Sequence, residues 1–392
     1  MAKLCPFRKA SWVPTPPDPD PEDPTFDPED GSWLWVTRSP YNATGNGSTD
    51  DRAAIQACIN AAASQGKGVY FPAGTYRMIA SGGVGLTIPS NVTLRGVGDT
   101  SALQLYDDGT DDRNTLLSLA AGTSNITIKN LKLTGTQINK EASVQLIVVR
   151  GTNGLTVQGV TFDKGEYAVR NIYVGTYSYN VLVDDCKTLS GILNPFYIAG
   201  VVGMEVKDCN LDTNSVDCMP GRWPHHFYVE RQVSNLHVHD CILSGGQHWA
   251  ITLGVEEGSD GCSNLRFSRL LLTDVSTGLH SYNLTSGVVY DSIQASSTRY
   301  NGGEAWIMAN ISQNVIVKNS RFVGPSDKRT WLVESNGSSG CLIQDTSVYN
   351  CNYYSATPRG FATGYTPPTP PTYDNVTVSE TASGGTVVNY TP

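Results

Sequence analysis

No apolar run in this chain approaches the 18 residues that a membrane-crossing helix needs, so no such span is written into it. An excess of positive charge is missing too. Lysine and arginine number 27 against 36 aspartates and glutamates, a formal net charge of −9. Nucleic-acid phosphates attract basic faces, and this balance argues against such a partner. The opening stretch, MAKLCPFRKASWVP, has charge but lacks the apolar centre of a secretory signal. The nine cysteines are not closely spaced, so they form no disulfide framework of the small secreted kind. Histidine is scarce, and all six copies fall between positions 225 and 280.

What is present is a repeat. Its clearest copy is NLHVHDCILSGGQHWAITL, from Asn235 to Leu253. The unit runs Asn or Gly, apolar, any, apolar, any, small polar, apolar or Cys. A Gly-rich turn and a second alternating run follow. Copies begin at Asn91, Asn125, Gly154, Asn180, Gly203, Asn235, Asn264, Gly287, Asn314, Gly340 and Asn375. A period of this size with drifting length predicts a solenoid, and alternation at period two predicts that strands build it. Stacked at about 4.8 Å, each strand becomes one rung of a parallel sheet. Asn at the start suits a left-handed turn, and stacked Asn side chains can hydrogen-bond along a ladder.

Six residues after each start stand Val97, Leu131, Val160, Cys186, Cys209, Cys241, Leu270, Ile293, Ser320 and Thr346, predicted as one inward column. The three cysteines there read as buried thiols packing like small hydrophobes. Cys218, Cys262, Cys341 and Cys351 are left as candidates for pairing.

Residues 1–31 read as a head and a Pro- and Asp-rich linker, which self-repulsion keeps extended. Residues 32–356 read as the solenoid, with a capping helix near 49–65. Ser48 or Thr49 is expected to cap that helix, with Asp50 and Asp51 in its first turn. Ala54, Ile55, Cys58, Ile59 and Ala62 form its apolar stripe, and Gly66 and Gly68 end it. Residues 357–392 read as a Pro-rich segment with a terminal coil or strand.

The stretch GNGSTDDRAAIQACINAAASQGKGVYFPAGTY, with the repeats NITIKNLKLTG and NLHVHDCILSG, resembles the pectate-lyase-like, right-handed β-helix superfamily. The resemblance covers roughly residues 40–350. It implies an all-β fold, a single-stranded right-handed parallel β-helix with a short N-terminal capping helix, and the repeats number about eleven coils. Polysaccharide lyases, glycoside hydrolases, alginate epimerases and phage tailspike depolymerases share that fold, so it leaves the chemistry open.

The histidines locate the expected site. His237 and His239, two apart on one strand, should share an outer face. His226, His248 and His280 should stack on one lateral face. The insertion NSVDCMPGRWPHHFYVE adds Asp217, Arg222, Trp223, His225 and Glu230. Trp249, Tyr282 and Glu304 lie in the coils that follow. Aromatic rings suit sugar faces, and arginine suits a uronate carboxylate. Hydrolysis would take a carboxylate pair, Asp217 with Glu230 or Glu230 with Glu304. Elimination would take His248 or His226 as base, Tyr282 or Tyr228 as acid and Arg222 as neutraliser. His225, Trp223, Trp249, His280 and Glu304 would line the substrate groove. The Gln247-His248 pair stands where the family's hydrolases carry two aspartates, which weighs against their mechanism. No cofactor is called for; a Ca2+ bound by Glu256, Glu257 and Asp260 is the alternative to a solvated turn.

The expected function is binding, and cleavage, of a surface or matrix polysaccharide by an exported or virion-borne protein of the tailspike type. Relatives of that type are homotrimers, which residues 1–31 would attach to a virion or surface structure. The alternatives are a non-catalytic adhesin or tail protein, and a secreted lyase or uronate epimerase.

Overall fold

The computed structural model describes residues 26–349 apart from 107–112, 137–142, 190, 214–223, 247–248, 255–260, 276, 285–286, 297–304, 311, 325–330 and 337, together with 372–379 and 388–390. These residues form a right-handed parallel β-helix with one helix at its N-terminal end. A coil gives one long or two short strands to a 22-stranded first sheet and one strand to a ten-stranded second sheet. One coil, for example, places Ser178–Asp184 and Lys187–Thr188 in the first sheet and Ile192–Ile198 in the second.

Backbone chirality explains the repeat. All eleven starting positions adopt left-handed backbone, φ 51–59° at the seven Asn and 67–82° at the four Gly. Non-glycine residues rarely do this, and Asn does it most readily. A second left-handed bend comes five residues later, at Asn130, Gly159, Asp185, Asp208, Asp240, Arg269, Ser292, Asn319 and Asp345. That bend resets the strand alternation. Val238 and Cys241 are three residues apart, yet both are buried, because Asp240 turns the chain between them.

The inward column forms from Leu131 to Thr346, each residue at most 4% exposed. Val97 departs from it and is 44% exposed. The strand Val92–Tyr106 slips register against Ser124–Gly135 on both sides of Gly98, so Gly98 stands opposite Leu131 and Val97 turns outward. Cys186, Cys209 and Cys241 are free buried thiols, as is Cys341, and Cys262 is buried; Cys218 and Cys351 lie outside the described residues. Burial pushes the thiols of Cys186 and Cys241 well above the ordinary range. The expected Asn ladder is present in pieces. Asn125 Nδ2 donates to Asn91 Oδ1 at 2.9 Å, and Asn264 Nδ2 donates to Asn235 Oδ1 at 2.8 Å. Aromatic rungs fill part of the core. Phe196 and Phe227 stack at 4.9 Å from the second sheet, and Phe227 meets Phe267 of the first edge-on at 6.1 Å. Burying each such ring stabilises the coil by about 2–3 kcal/mol.

The helix spans Arg52–Gln65 and buries Ile55, Cys58, Ile59 and Ala62 over the first rungs. Its start corrects the expected cap. Ser48 and Thr49 belong to the strand Asn46–Asp50, and Asp51 holds the N-cap position without a side-chain cap bond. The Asp51 carboxylate accepts instead from Thr44 N and Oγ1 and from Gly45 N at 2.7–3.0 Å. Three donors in the preceding turn outweigh one at the helix end. Gly66 ends the helix with φ 64°. At the other end, Thr372–Asp374 and Val376–Ser379 add a parallel rung, and Val388–Tyr390 pairs with the latter antiparallel.

Candidate functional site

The outer face of the second sheet carries a run of polar and aromatic side chains. Its strands Gly165–Asn171, Ile192–Ile198, Phe227–Val229, Trp249–Gly254 and Thr277–Tyr282 run in register. Their inward residues, Phe196, Phe227, Ile251 and Leu279 among them, fill the core. Register then stacks Arg170, Tyr197, Tyr228, Thr252 and His280 in one column on successive rungs.

The column is knitted together by contacts between neighbours. The Arg170 guanidinium lies 5.1 Å from the rings of both Tyr167 and Tyr197. Tyr197 meets Tyr228 at 5.6 Å, and Tyr228 meets the His225 ring at 5.4 Å. The Tyr197 hydroxyl donates a short hydrogen bond to Glu230, whose other oxygen lies 3.3 Å from the Arg231 guanidinium. His225 Nδ1 shares a 2.9 Å bond with Thr252 Oγ1, and its backbone N–H donates to Asn194 Oδ1 at 2.8 Å. Burial, then the Glu230 carboxylate, raises the Tyr197 pKa, so its proton is held at neutral pH.

One end of this face is cationic. Burial, then the positive charge of Arg170, lowers the pKa of Arg150. Among the described residues, neither has a carboxylate at ion-pair distance; Arg150 donates only to Ser118 Oγ at 3.3 Å. Guanidiniums without a carboxylate partner suit an anionic ligand group.

The expected residues distribute unevenly. His225, Glu230 and Tyr228 belong to this cluster. His280 and Tyr282 lie further along, with the His280 ring 4.8 Å from Trp249 and 6.0 Å from Tyr282. The expected outer stack of His226, His248 and His280 is corrected by His226, which is 1% exposed. His226 is one residue out of phase with the column, and its Nε2–H donates inward to the Ser244 carbonyl at 2.9 Å. Burial lowers its pKa to about 4, so the ring is neutral. Trp249 is 3% exposed and backs the His280 ring rather than offering a sugar platform. Asp217, Arg222, Trp223, His248 and Glu304 lie outside the described residues, as does the loop from Glu256 to Asp260.

Arg150, Arg170, Tyr197 and Thr252 were not among the expected site residues. A signal existed for three of the column: each of Arg170, Tyr197 and Tyr228 directly precedes the last residue of its strand, as in AVRN, FYI and FYV. Irregular coil lengths hid that alignment, because only backbone pairing fixes which second strands are neighbours.

His237 and His239 sit elsewhere, on the first sheet, with ring centroids 4.2 Å apart. With Glu205 of the preceding coil they offer three ligand atoms within 4.8 Å of one another.

Residues 36–211 match a family described as "Rhamnogalacturonase A/epimerase, pectate lyase-like". The A-module of the Azotobacter vinelandii mannuronan C-5 epimerase AlgE6 superposes over 88% of this chain and 93% of its own, at TM-score 0.64 and 16% identity. The fold is that of the pectate-lyase-like right-handed β-helix superfamily. The same β-helix appears in the tailspike of E. coli bacteriophage HK620, solved in complex with a pentasaccharide. There the match covers 88% of this chain and 65% of the tailspike, at TM-score 0.63 and 15% identity. At these identities the likeness concerns the fold. In sequence, the β-helix is 40% identical over 111 residues to A. vinelandii mannuronan C5-epimerase AlgE4, covering 26% of this chain. It is 39% identical over 112 residues to alginate lyase 7 of the same organism, again 26% of the chain. The matched stretches amount to 20% and 13% of those relatives' lengths.

Proposed function

We propose that the outer face of the second sheet binds an extended acidic polysaccharide and moves the proton at C5 of a uronate residue. The observation that carries this reading is the Arg170 guanidinium, 5.1 Å from the Tyr197 ring, in one column with the Tyr197–Glu230 and His225–Thr252 pairs. A uronate C5 proton is acidic only when the neighbouring carboxylate is neutralised, which the Arg170 guanidinium does by paired hydrogen bonds. Tyr197, with its raised pKa, is the group that keeps a proton to give to the leaving oxygen or to the opposite face of C5. His225 is the base, with its ring oriented through Thr252. Loss of the C4 oxygen gives elimination; return of a proton to the other face gives epimerisation.

A two-carboxylate hydrolysis fits less well, since the described cluster contains one carboxylate, Glu230. The partial identity to mannuronan epimerases and to an alginate lyase supports the uronate substrate class. The tailspike likeness favours a second reading, in which a virion or extracellular protein uses the same face to hold a surface glycan; homotrimer assembly belongs to that reading.

A panel of polymannuronate, polyguluronate, polygalacturonate and neutral glucans separates the two. Elimination gives ultraviolet-absorbing unsaturated ends, and epimerisation incorporates deuterium at C5 from D2O. Binding of a glycan with neither signal would leave the second reading. If no uronate polymer binds, and Arg170→Ala changes nothing, the proposal fails.

A further inference from the structure

The first sheet carries a second constellation, remote in sequence register from the face just described. Glu205 stands opposite His237 on the neighbouring rung, and Lys207 opposite His239. Met204, Val206, Leu236 and Val238 alternate with them and are buried, so Glu205, His237 and His239 all project outward. Their ligand atoms lie within 4.8 Å of one another. A tetrahedral ion with bonds near 2.0–2.1 Å holds its ligand atoms about 3.3 Å apart. One pair is already closer than that, since His239 Nε2 lies 2.9 Å from Glu205 Oε1.

His239 is also held from behind. Its Nδ1 lies 2.6 Å from Asp240 Oδ2, and Asp240 is gripped by Arg269 at 2.7 Å through Nε and 2.5 Å through a terminal nitrogen. A carboxylate on the far nitrogen fixes the tautomer of a metal-ligating histidine and raises its basicity. The arrangement leaves a deficit. Both ring nitrogens of His239 face carboxylates, and a neutral imidazole has one N–H to give. If Asp240 takes it, the Nε2 lone pair points at Glu205, two acceptors 2.9 Å apart with no cation between them. A proton or a metal ion would resolve this. A second imidazole 4.2 Å away, oriented by Ser268 Oγ at 2.9 Å from its Nε2, is a third donor that a proton alone does not need.

We propose that Glu205, His237 and His239 bind a divalent ion of the zinc class. Two imidazoles and one carboxylate suit zinc and its late-transition neighbours, whereas Ca2+ and Mg2+ seek oxygen ligands. Three protein ligands leave a fourth position open towards solvent on the side of Glu205, whose side chain is 48% exposed. The ion would clip two adjacent coils together, since Glu205 and the histidines come from consecutive rungs.

The test uses the full, tag-free chain, stripped with EDTA and titrated with Zn2+ by calorimetry. One ion per chain with a dissociation constant below about 10 µM is expected. In His237→Gln/His239→Gln, binding should weaken at least about 100-fold. In Asp240→Asn, which keeps all three ligands, it should weaken by about 10–100-fold. Glu205→Gln, at an exposed position, provides a variant whose folding is not in question and should weaken binding at least tenfold. Co2+ loaded in place of Zn2+ should give weak visible bands without a thiolate charge-transfer band. Absence of Zn2+ binding by the wild-type chain, an unchanged affinity in the double variant, or a thiolate band from one of the cysteines would each overturn the assignment.

Discussion

Lowering the pH should destabilise this β-helix through one buried side chain, and the size of the effect follows from where His226 lies. The ring is 1% exposed, and burial lowers its pKa from 6.5 to about 4. The sign is fixed by linkage. Above pH 6.5 the ring is neutral in both folded and unfolded chains and costs nothing. As pH falls through 6.5 the unfolded chain takes up a proton that the folded chain refuses, so stability drops until the folded ring itself protonates near pH 4. A gap of about 2.5 units at 1.36 kcal/mol each gives a loss of about 3 kcal/mol across that window. Carboxylates titrate over the acid end of the same range, so the measurement must be a difference. Urea unfolding of the wild-type chain and of His226→Gln, followed by circular dichroism at pH 7, 6, 5 and 4, isolates the term. At pH 7 the variant should be the less stable, having lost the packed ring. By pH 4 the difference should shrink by about 3 kcal/mol, because glutamine does not titrate. A stability difference that is constant from pH 7 to pH 4 would refute the buried, neutral assignment and return His226 to an exposed surface.

On the candidate active face, Arg170→Ala should lower kcat/KM on a uronate polymer by about 10²–10³, and Tyr197→Phe should do so through kcat at nearly unchanged KM, as steady-state kinetics will show. Gly254 has φ 99°, and a Cβ there would lie 1.7 Å from the Tyr282 carbonyl oxygen. Gly254→Ala should therefore cost at least about 2 kcal/mol in thermal or urea unfolding. At the coil start Asn235, with φ 55°, replacement by Val should cost about 1–2 kcal/mol, while Gly should be nearly neutral in the same assay.

The parts of the fold that could be read from the chain are those where a residue type has one physical use. Asn or Gly at every coil start is required by left-handed backbone, and all eleven starts adopt it. The inward column was readable because burial tolerates only apolar or small side chains there. Val97 was misread because a register slip is a property of two strands together and leaves no mark in either alone. Ser48 and Thr49 were misread as caps for a related reason. Capping competes with tertiary hydrogen bonds, and Asp51 found three donors in the turn before it.

The site was harder to read, and the reason is periodicity. An outward residue in a solenoid faces the outward residues of the neighbouring rungs, tens of positions away in sequence, and each coil of a different length shifts that offset. Arg170, Tyr197 and Tyr228 are separated by 27 and 31 positions, yet they occupy adjacent rungs of one column. A cluster of one residue type, such as the six histidines, attracts notice without revealing phase. Phase decides everything here: His225 and His226 are consecutive, and one lies among tyrosines on the surface while the other is sealed in the core. His237 and His239 share the parity that His226 lacks, but on the other sheet. One short span of sequence therefore supplies histidines to three environments. Chemistry on this fold is specified by register first and residue type second, so substitutions that slip a rung should disable a site as thoroughly as those that remove its side chains.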